Sequence, residues 1–346
     1  MENSLKFEAT AKKFAFKTLP ESEIELQGEV SWETILPYRK DALKEIAEHL
    51  ELPGFRKGKV PEDMALKKVG EIAVLEEAVE HFMRDFYGEL VSAHKAAVVG
   101  RPDIRITKFA PENPVALTIR ATVYPEVKLP KDWKKTGEKI ALEPAVPATE
   151  AELNETLESL RQSRKTKKET GEEEAPELND EFAKSVGAFQ TVEELKTRIT
   201  KGITEEKERA TKDARRGKII EALLGKVEIE VPKIFVESEL EKILSQLKED
   251  VARFGVTFEG YLKQINKTEE ALREEFKGQA KKRAKLQLTL NKVAEEEKIE
   301  AEAADVAKEL KHALEHFPDA RQDLLTIHIE TVLRNEKTLQ LLEKGE

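Results

Sequence analysis

Apolar residues alternate with polar ones near the start of the chain and recur at helical spacing through most of the rest. Phe14, Phe16 and Thr18 alternate against polar neighbours, Pro20-Glu21-Ser22 turns the chain, and Ile24, Leu26, Gly28 and Val30 alternate again. That pattern predicts a hairpin with one buried face. Ser31 stands where it would cap a helix whose apolar residues Ile35, Leu43, Ile46, Ala47 and Leu50 form one stripe, interrupted by Pro37. A short helix is expected from Pro61 to Val69, ended by Gly70. A longer one from Glu71 carries Val74, Leu75, Ala78, Phe82, Phe86 and Leu90 at helical spacing. Arg101-Pro102 reads as a break, followed by strands over Ile104–Phe109 and Val115–Val123. Hairpin, helix–loop–helix, helix and hairpin assemble naturally as a four-stranded antiparallel sheet with helices on one face, an α+β domain. Residues 1–13 ahead of it read as polar and irregular, a flexible extension.

The α+β domain is expected over 14–130, closed at Tyr124-Pro125-Glu126-Val127, where proline forces the exit from an edge strand. Residues 131–148 read as a Pro- and Lys-rich linker, with a short strand at Lys139–Leu142. From 149 to 346 the pattern is helical. Thr149 with Glu152 and Thr191 with Glu194 have capping-box spacing. Arg164 to Lys168 and Gly171 to Glu174 are opposite-sign charge blocks of a solvated linker. The helix opened by Thr191 is charged through Thr204–Arg216 and has little there to bury, which reads as an arm. Val227–Val231 is an extended break. Val236, Leu240, Ile243, Leu247, Val251 and Phe254 then repeat in three- and four-residue steps as a helix–helix seam. Helices over Thr268–Glu297, Ala303–His316 and Asp319–Leu342 complete an extended all-α C-terminal domain with long arm helices.

Composition narrows the function. Of 346 residues 37% are charged, 39% hydrophobic and 6% aromatic, the mark of long helices with much exposed face. A net charge of −10 argues against wholesale binding of nucleic acid, so any contact with RNA must be local. Cysteine is absent, which excludes disulfides and thiolate chemistry. No apolar run approaches the ~20 residues of a bilayer span, and the N-terminus lacks a signal-peptide core, so no membrane partner and a cytoplasmic location are expected.

Two stretches carry candidate chemistry. In Gly54-Phe55-Arg56-Lys57-Gly58-Lys59-Val60-Pro61, two glycines bracket an aromatic and two cations, a third cation follows, and proline suits the start of the next helix. The loop chemistry leaves two readings open: a basic turn whose Phe55 packs inward, or an exposed tip on which Phe55 wedges into a partner while Arg56 and Lys57 grip phosphate or carboxylate. His312-Ala313-Leu314-Glu315-His316 matches the H-x-x-E-H pattern of inverted zinc peptidases, making a zinc hydrolase a remote alternative. Phe317-Pro318 ends that helix at once, and five-residue patterns arise by chance. No phosphate loop, nucleophile elbow or distinct carboxylate pair stands out, so no catalytic residue and no cofactor are assigned. In the helical half, Phe182, Val186 and Phe189, and Phe254, Val256, Phe258, Tyr261, Leu262 and Ile265, either plug helix ends or form apolar patches that hold unfolded chains weakly.

The stretch Gly54 to Pro61 resembles the ribosome-docking signature of trigger factor, a bacterial chaperone family of the peptide exit tunnel. Tyr124-Pro125-Glu126-Val127 resembles the end of that family's ribosome-binding unit, and Ala175-Pro176-Glu177-Leu178 its re-entry into the C-terminal domain. The resemblance implies an ATP-independent holdase that shields nascent polypeptides. Gly54, Phe55, Arg56, Lys57, Gly58 and Lys59 would contact protein and RNA of the large ribosomal subunit. It also implies an FKBP-like prolyl isomerase domain of about 100 residues, which is missing here near 169–176, so no enzyme activity is expected. Family members dimerise when free, so a homodimer is a further expectation. A ribosome-independent holdase or assembly factor is the alternative.

Overall fold

The computed structural model describes residues 2–56, 58–108, 112–167 and 173–345. Helix α1 (Glu2–Ala11) leads into β1 (Ala15–Leu19), β2 (Glu23–Val30), α2 (Trp32–His49), α3 (Glu62–Val69), α4 (Glu71–Ala93), β3 (Val98–Lys108) and β4 (Val115–Val123). The four strands form one antiparallel sheet, as expected, and its order is β1-β2-β4-β3. Register Ile24↔Ala121 and Leu26↔Ile119 sets buried residues of the two central strands opposite one another. Onto them α4 buries Leu75, Ala78, Phe82, Phe86 and Leu90. Phe82 and Phe86 stack at 4.7 Å between ring centroids, and Phe7 and Tyr38 meet Phe82 edge-on at 5.9 and 5.6 Å.

Several expectations change here. Within the stretch read as an irregular extension, Glu2–Ala11 form α1, which places Phe7 on Phe82 and buries Ala11. Phe14 is buried in a recess that Gly28 leaves open, since a Cβ there would lie 2.5 Å from its ring. Phe16, in contrast, is exposed and stacks on His94. Ser31 holds the N-cap position of α2 but its hydroxyl pairs with the Thr34 hydroxyl instead of a backbone N–H. The helix runs through Pro37 without a break. Strand β3 begins at Val98, ahead of Arg101-Pro102. The register shifts between Val99 and Asp103, with Gly100 at φ +76, so proline falls in a bulge where it needs no ladder donor. The end expected for that strand, Phe109, lies outside the described residues.

The remaining elements are α5 (Glu150–Gln162), the two-residue strands β5 (Thr166–Lys167) and β6 (Glu173–Glu174), α6 (Asp180–Val186), α7 (Val192–Leu224), α8 (Lys233–Arg253), α9 (Phe258–Gln264), α10 (Glu269–Glu297), α11 (Ala303–His316) and α12 (Gln322–Lys344). Thr149 and Glu152 form the reciprocal capping box on α5. At α7 Thr191 accepts from the Glu194 N–H, but the Glu194 carboxylate reaches the N–H of Gln190, one residue further out. Within the charge blocks after α5, β5 and β6 pair as a short antiparallel ladder.

The chain groups into two compact units, Met1–Val127 with Ile229–Lys285, and Lys128–Glu228 with Leu286–Glu346. Residues 229–285, placed by the helical pattern in the domain from 149, group here with the sheet. In that first unit α8 buries Val236, Leu240, Ile243 and Leu244 against Leu272 and Ala280 of α10. Phe235 meets Tyr124 edge-on at 5.8 Å, and Ile234 fills the space beside Gly100.

In the second unit Trp133 is buried in a 3-10 turn, Trp133–Thr136, and Lys139–Leu142 is not a strand. The charged middle of α7 is not all solvated either. Arg215 donates to the carbonyls of Gly137 (2.9 Å), Ile140 (2.7 Å) and Glu343 (3.0 Å). Arg216 forks onto Glu336 with two bonds of 2.9 Å and also binds Glu343, contacts that raise its pKa above the ordinary guanidinium value. Gly137 packs so closely on α12 that a Cβ would lie 2.0 Å from the Leu342 carbonyl oxygen.

A candidate docking loop and apolar helix tips

The loop between α2 and α3 is two turns in series. Pro53 and Gly54 form the corner of the first, with Gly54 at φ +90 and the Phe55 N–H donating to the Leu52 carbonyl at 3.1 Å. Proline presets the first corner residue and glycine supplies the positive φ of the second, the signature of a type II turn. Gly58, at φ +76, repeats the arrangement, with the Lys59 N–H donating to the Arg56 carbonyl at 3.0 Å. Lys57 lies outside the described residues.

Both feet of the loop are set in a small core. Val60 is buried with Leu43 and Ala47 of α2, Ala65 of α3 and Val74 of α4, and Leu50 and Leu52 pack against them. Phe55 takes no part in it and is 39% exposed. The inward-packing reading therefore fails: Leu52 and Val60 anchor the loop, and Phe55 stays at its surface. Arg56 and Lys59 are exposed, and among the described residues neither forms an ion pair. Met64 of α3 and Ile72 of α4, in the first turns of the helices beyond the loop, add exposed apolar surface that periodicity did not single out. Their signal was present as apolar residues off the buried stripe of each helix.

The apolar residues of the helical half divide. Phe182 is buried with Leu157 and Leu195, and Val186 and Phe189 pack against that cluster, so these three plug helix ends. Phe258, Tyr261, Leu262 and Ile265 are half-buried against α8 and α10. Phe254 is different. It continues the seam spacing in sequence, but it is the C-cap of α8, Gly255 follows at φ +73, and its side chain is 86% exposed. With Leu247, Val251, Val256 and Tyr261 it borders an apolar hollow of about 330 Å³. Phe317, the C-cap of α11, and Leu324, Ile327 and Val332 of α12 are likewise exposed.

The His312 and His316 rings lie 4.9 Å apart and both residues are exposed. Among the described residues no group of three or more His, Cys, Asp or Glu could hold a metal ion, and no helix is long and apolar enough to cross a membrane.

Residues 12–160 match the family described as bacterial trigger factor protein, and residues 191–343 match the description of its C-terminus. The chain belongs to the trigger factor family. Trigger factor of Nocardioides sp. is 24% identical over 384 aligned positions, covering 86% of this chain and 80% of the relative. That of Carboxydothermus hydrogenoformans is 25% identical over 396, covering 89% and 92%. Trigger factor of Alkaliphilus metalliredigens is 38% identical over 143 residues, 41% of this chain and 33% of the relative. A solved chain from work on "Promiscuous Substrate Recognition in Folding and Assembly Activities of the Trigger Factor Chaperone" superposes with a TM-score of 0.53. It is 20% identical, over 96% of this chain and 100% of its own, and so shares the fold. Between the two trigger factor segments only residues 161–190 are unmatched, and no isomerase domain lies there. The first alignment is longer than the whole chain, so the relative carries residues that have no counterpart here.

Proposed function

We propose that this chain is an ATP-independent chaperone that docks at the ribosomal tunnel exit and shields nascent polypeptides. Membership of the trigger factor family supports a chaperone role in protein folding. The observation that carries the docking is the double-turn loop, whose feet are buried while Phe55 and Arg56 face outward. Gly54 and Gly58 hold the backbone in its two turns, Phe55 fills an apolar pocket of the large subunit, and Arg56, Lys57 and Lys59 meet its phosphates or carboxylates. Docking raises the local concentration of chaperone around each emerging chain. Exposed residues such as Phe254 and Ile327, scattered on charged helices, then hold apolar client segments weakly and without sequence preference.

Ribosome co-sedimentation tests the anchor. The triple variant Phe55→Ala/Arg56→Ala/Lys57→Ala will pellet with ribosomes about tenfold less than the parent, a loss of roughly 1.4 kcal/mol or more. Its thermal unfolding will be unchanged, because the feet of the loop are intact. Equal pelleting of the two proteins would sink the loop as anchor. Aggregation suppression without any ribosome binding in low salt would favour a ribosome-independent holdase.

The chain is also proposed to lack prolyl isomerase activity, since the two trigger factor segments are joined by residues 161–190 alone. In a short proline peptide it will leave isomerisation at the uncatalysed rate, tens to hundreds of seconds or so at 25 °C. Concentration-dependent acceleration would show the reverse.

A further inference from the structure

The sheet ends in β3, an edge strand paired with β4 on one side only. Along this edge runs a groove of about 1130 Å³ whose other wall is α4. Glu76, Glu80, Met83, Arg84 and Tyr87 line it from one face of the helix, at three- and four-residue steps. Arg101, Ile104, Arg105 and Ile106 line it from the strand. The two walls match in length. Residues 76–88 of the helix span about 18 Å at about 1.5 Å per residue, and residues 101–106 of the strand about 17 Å at about 3.3 Å per residue. A slot of that length beside an open strand edge has room for an extended segment of about six residues.

Its chemistry selects among such segments. The floor is apolar: Met83 and Val79 are buried, and Ile104 and Ile106 half-buried. The strand wall is cationic. Arg101 is exposed and has no ion-pair partner among the described residues, and Arg105 donates to exposed Asp103 through Nε at 2.9 Å and a terminal nitrogen at 2.8 Å. On the helix wall Arg84 and Glu80 offset one another at 3.5 Å. Register shifts after Val99 and after Ile106 leave Asp103–Ile106 as the regular stretch, so an added strand must be short.

We propose that this groove is a second client-binding site, which takes a short extended segment of alternating apolar and acidic side chains as an added strand on β3. The proposal rests on the chaperone reading and gives it a substrate class. Main-chain bonds to a strand edge bind any sequence, and side chains alternate between the two faces of the added strand. One set meets the apolar floor and the other the arginines of the rim.

The test uses the full chain and fluorescein-labelled hexapeptides, with binding read by fluorescence anisotropy in low salt. The peptide alternating valine with glutamate will bind about tenfold more tightly than the one alternating valine with lysine. The variant Arg101→Glu/Arg105→Glu, its fold checked by circular dichroism, will lose about tenfold for the acidic peptide. N-methylation of every second residue will abolish binding in one of the two possible frames and spare the other, because only one set of N–H groups faces the strand. Equal binding of the two peptides, indifference to the charge reversal, or equal response to both methylation frames would overturn the proposal. Suppression of aggregation of an unfolded protein by the parent chain tests the chaperone reading separately. If suppression holds and peptide binding fails, the groove alone falls; if peptide binding holds and suppression fails, the site stands as a peptide site and the chaperone reading falls.

Discussion

Phe82→Ala will lower the unfolding free energy of the sheet-bearing unit by about 3–5 kcal/mol. Phe82 is fully buried, and its ring touches three others: it stacks on Phe86 at 4.7 Å and takes the edges of Phe7 and Tyr38. Truncation removes the burial of a large ring and leaves a cavity whose walls come from α1, α2 and α4, elements that cannot all collapse into it. Each ring–ring pairing is worth about 0.5–1.5 kcal/mol beyond area alone, and alanine keeps none of them. Trp32 is a local reporter, since it packs against the same core, while the chain's other tryptophan, Trp133, belongs to the second unit. Urea unfolding followed by Trp32 fluorescence in a Trp133→Phe background will show the midpoint falling. A shift under about 1 kcal/mol would mean that this core repacks far more freely than its ring geometry suggests.

Arg215→Ala will destabilise the second unit by about 2–4 kcal/mol, although Arg215 sits in a charged stretch of helix that reads as solvated. The guanidinium holds three backbone carbonyls together, two from the turn at Gly137 and Ile140 and one at Glu343 near the end of α12. Alanine leaves those acceptors without a charged donor in a half-buried place, where charge-assisted bonds are worth about 1.5–3 kcal/mol each and are not additive. Arg215→Lys will recover little, because an ammonium cannot present the planar fork that meets carbonyls on different segments. Trp133, four residues before Gly137, will report the transition in a Trp32→Phe background. A lysine variant as stable as the parent would refute the fork as the source of the stability.

These two sites mark how far the sequence could be read. Phe82 was legible, because α4 repeats its apolar residues over 23 residues and nothing interrupts the period. The hairpin of β1 and β2 was legible for the same reason, with Pro20 marking its turn. Arg215 was not, since its partners lie 75 and more residues away and nothing in a charged run of helix says who stands opposite. Helix α1 was missed because its apolar residues Leu5, Phe7, Ala9 and Ala11 stand at every second position, a spacing that does not mark a helix. Arg101-Pro102 misled in a different way. Proline usually ends a strand, but a bulge absorbs it, and a bulge depends on the facing strand.

The loop was legible in composition and ambiguous in orientation. Gly54, Gly58 and Pro61 predict a turn whichever way Phe55 points. What decides is the competition for the space beneath: Leu52 and Val60 fill it, leaving no room that Phe55 must occupy. Phe254 shows the converse. Its spacing fits the seam of α8, but the helix ends beneath it and Gly255 turns the chain away.

The short ladder of β5 and β6 has a bearing on how modules are gained and lost. Pairing of Thr166 with Glu174 and of Lys167 with Glu173 holds the outgoing and returning chain one strand spacing apart, about 4.8 Å. Domain termini commonly lie close together at a surface. A site that delivers two chain ends side by side is therefore a socket: a self-contained domain with adjacent termini can be spliced in or excised there, with little demand for change in the helices on either side. Presence or absence of a catalytic module at this point then becomes a matter of gene architecture, separable from the stability of the scaffold that carries it.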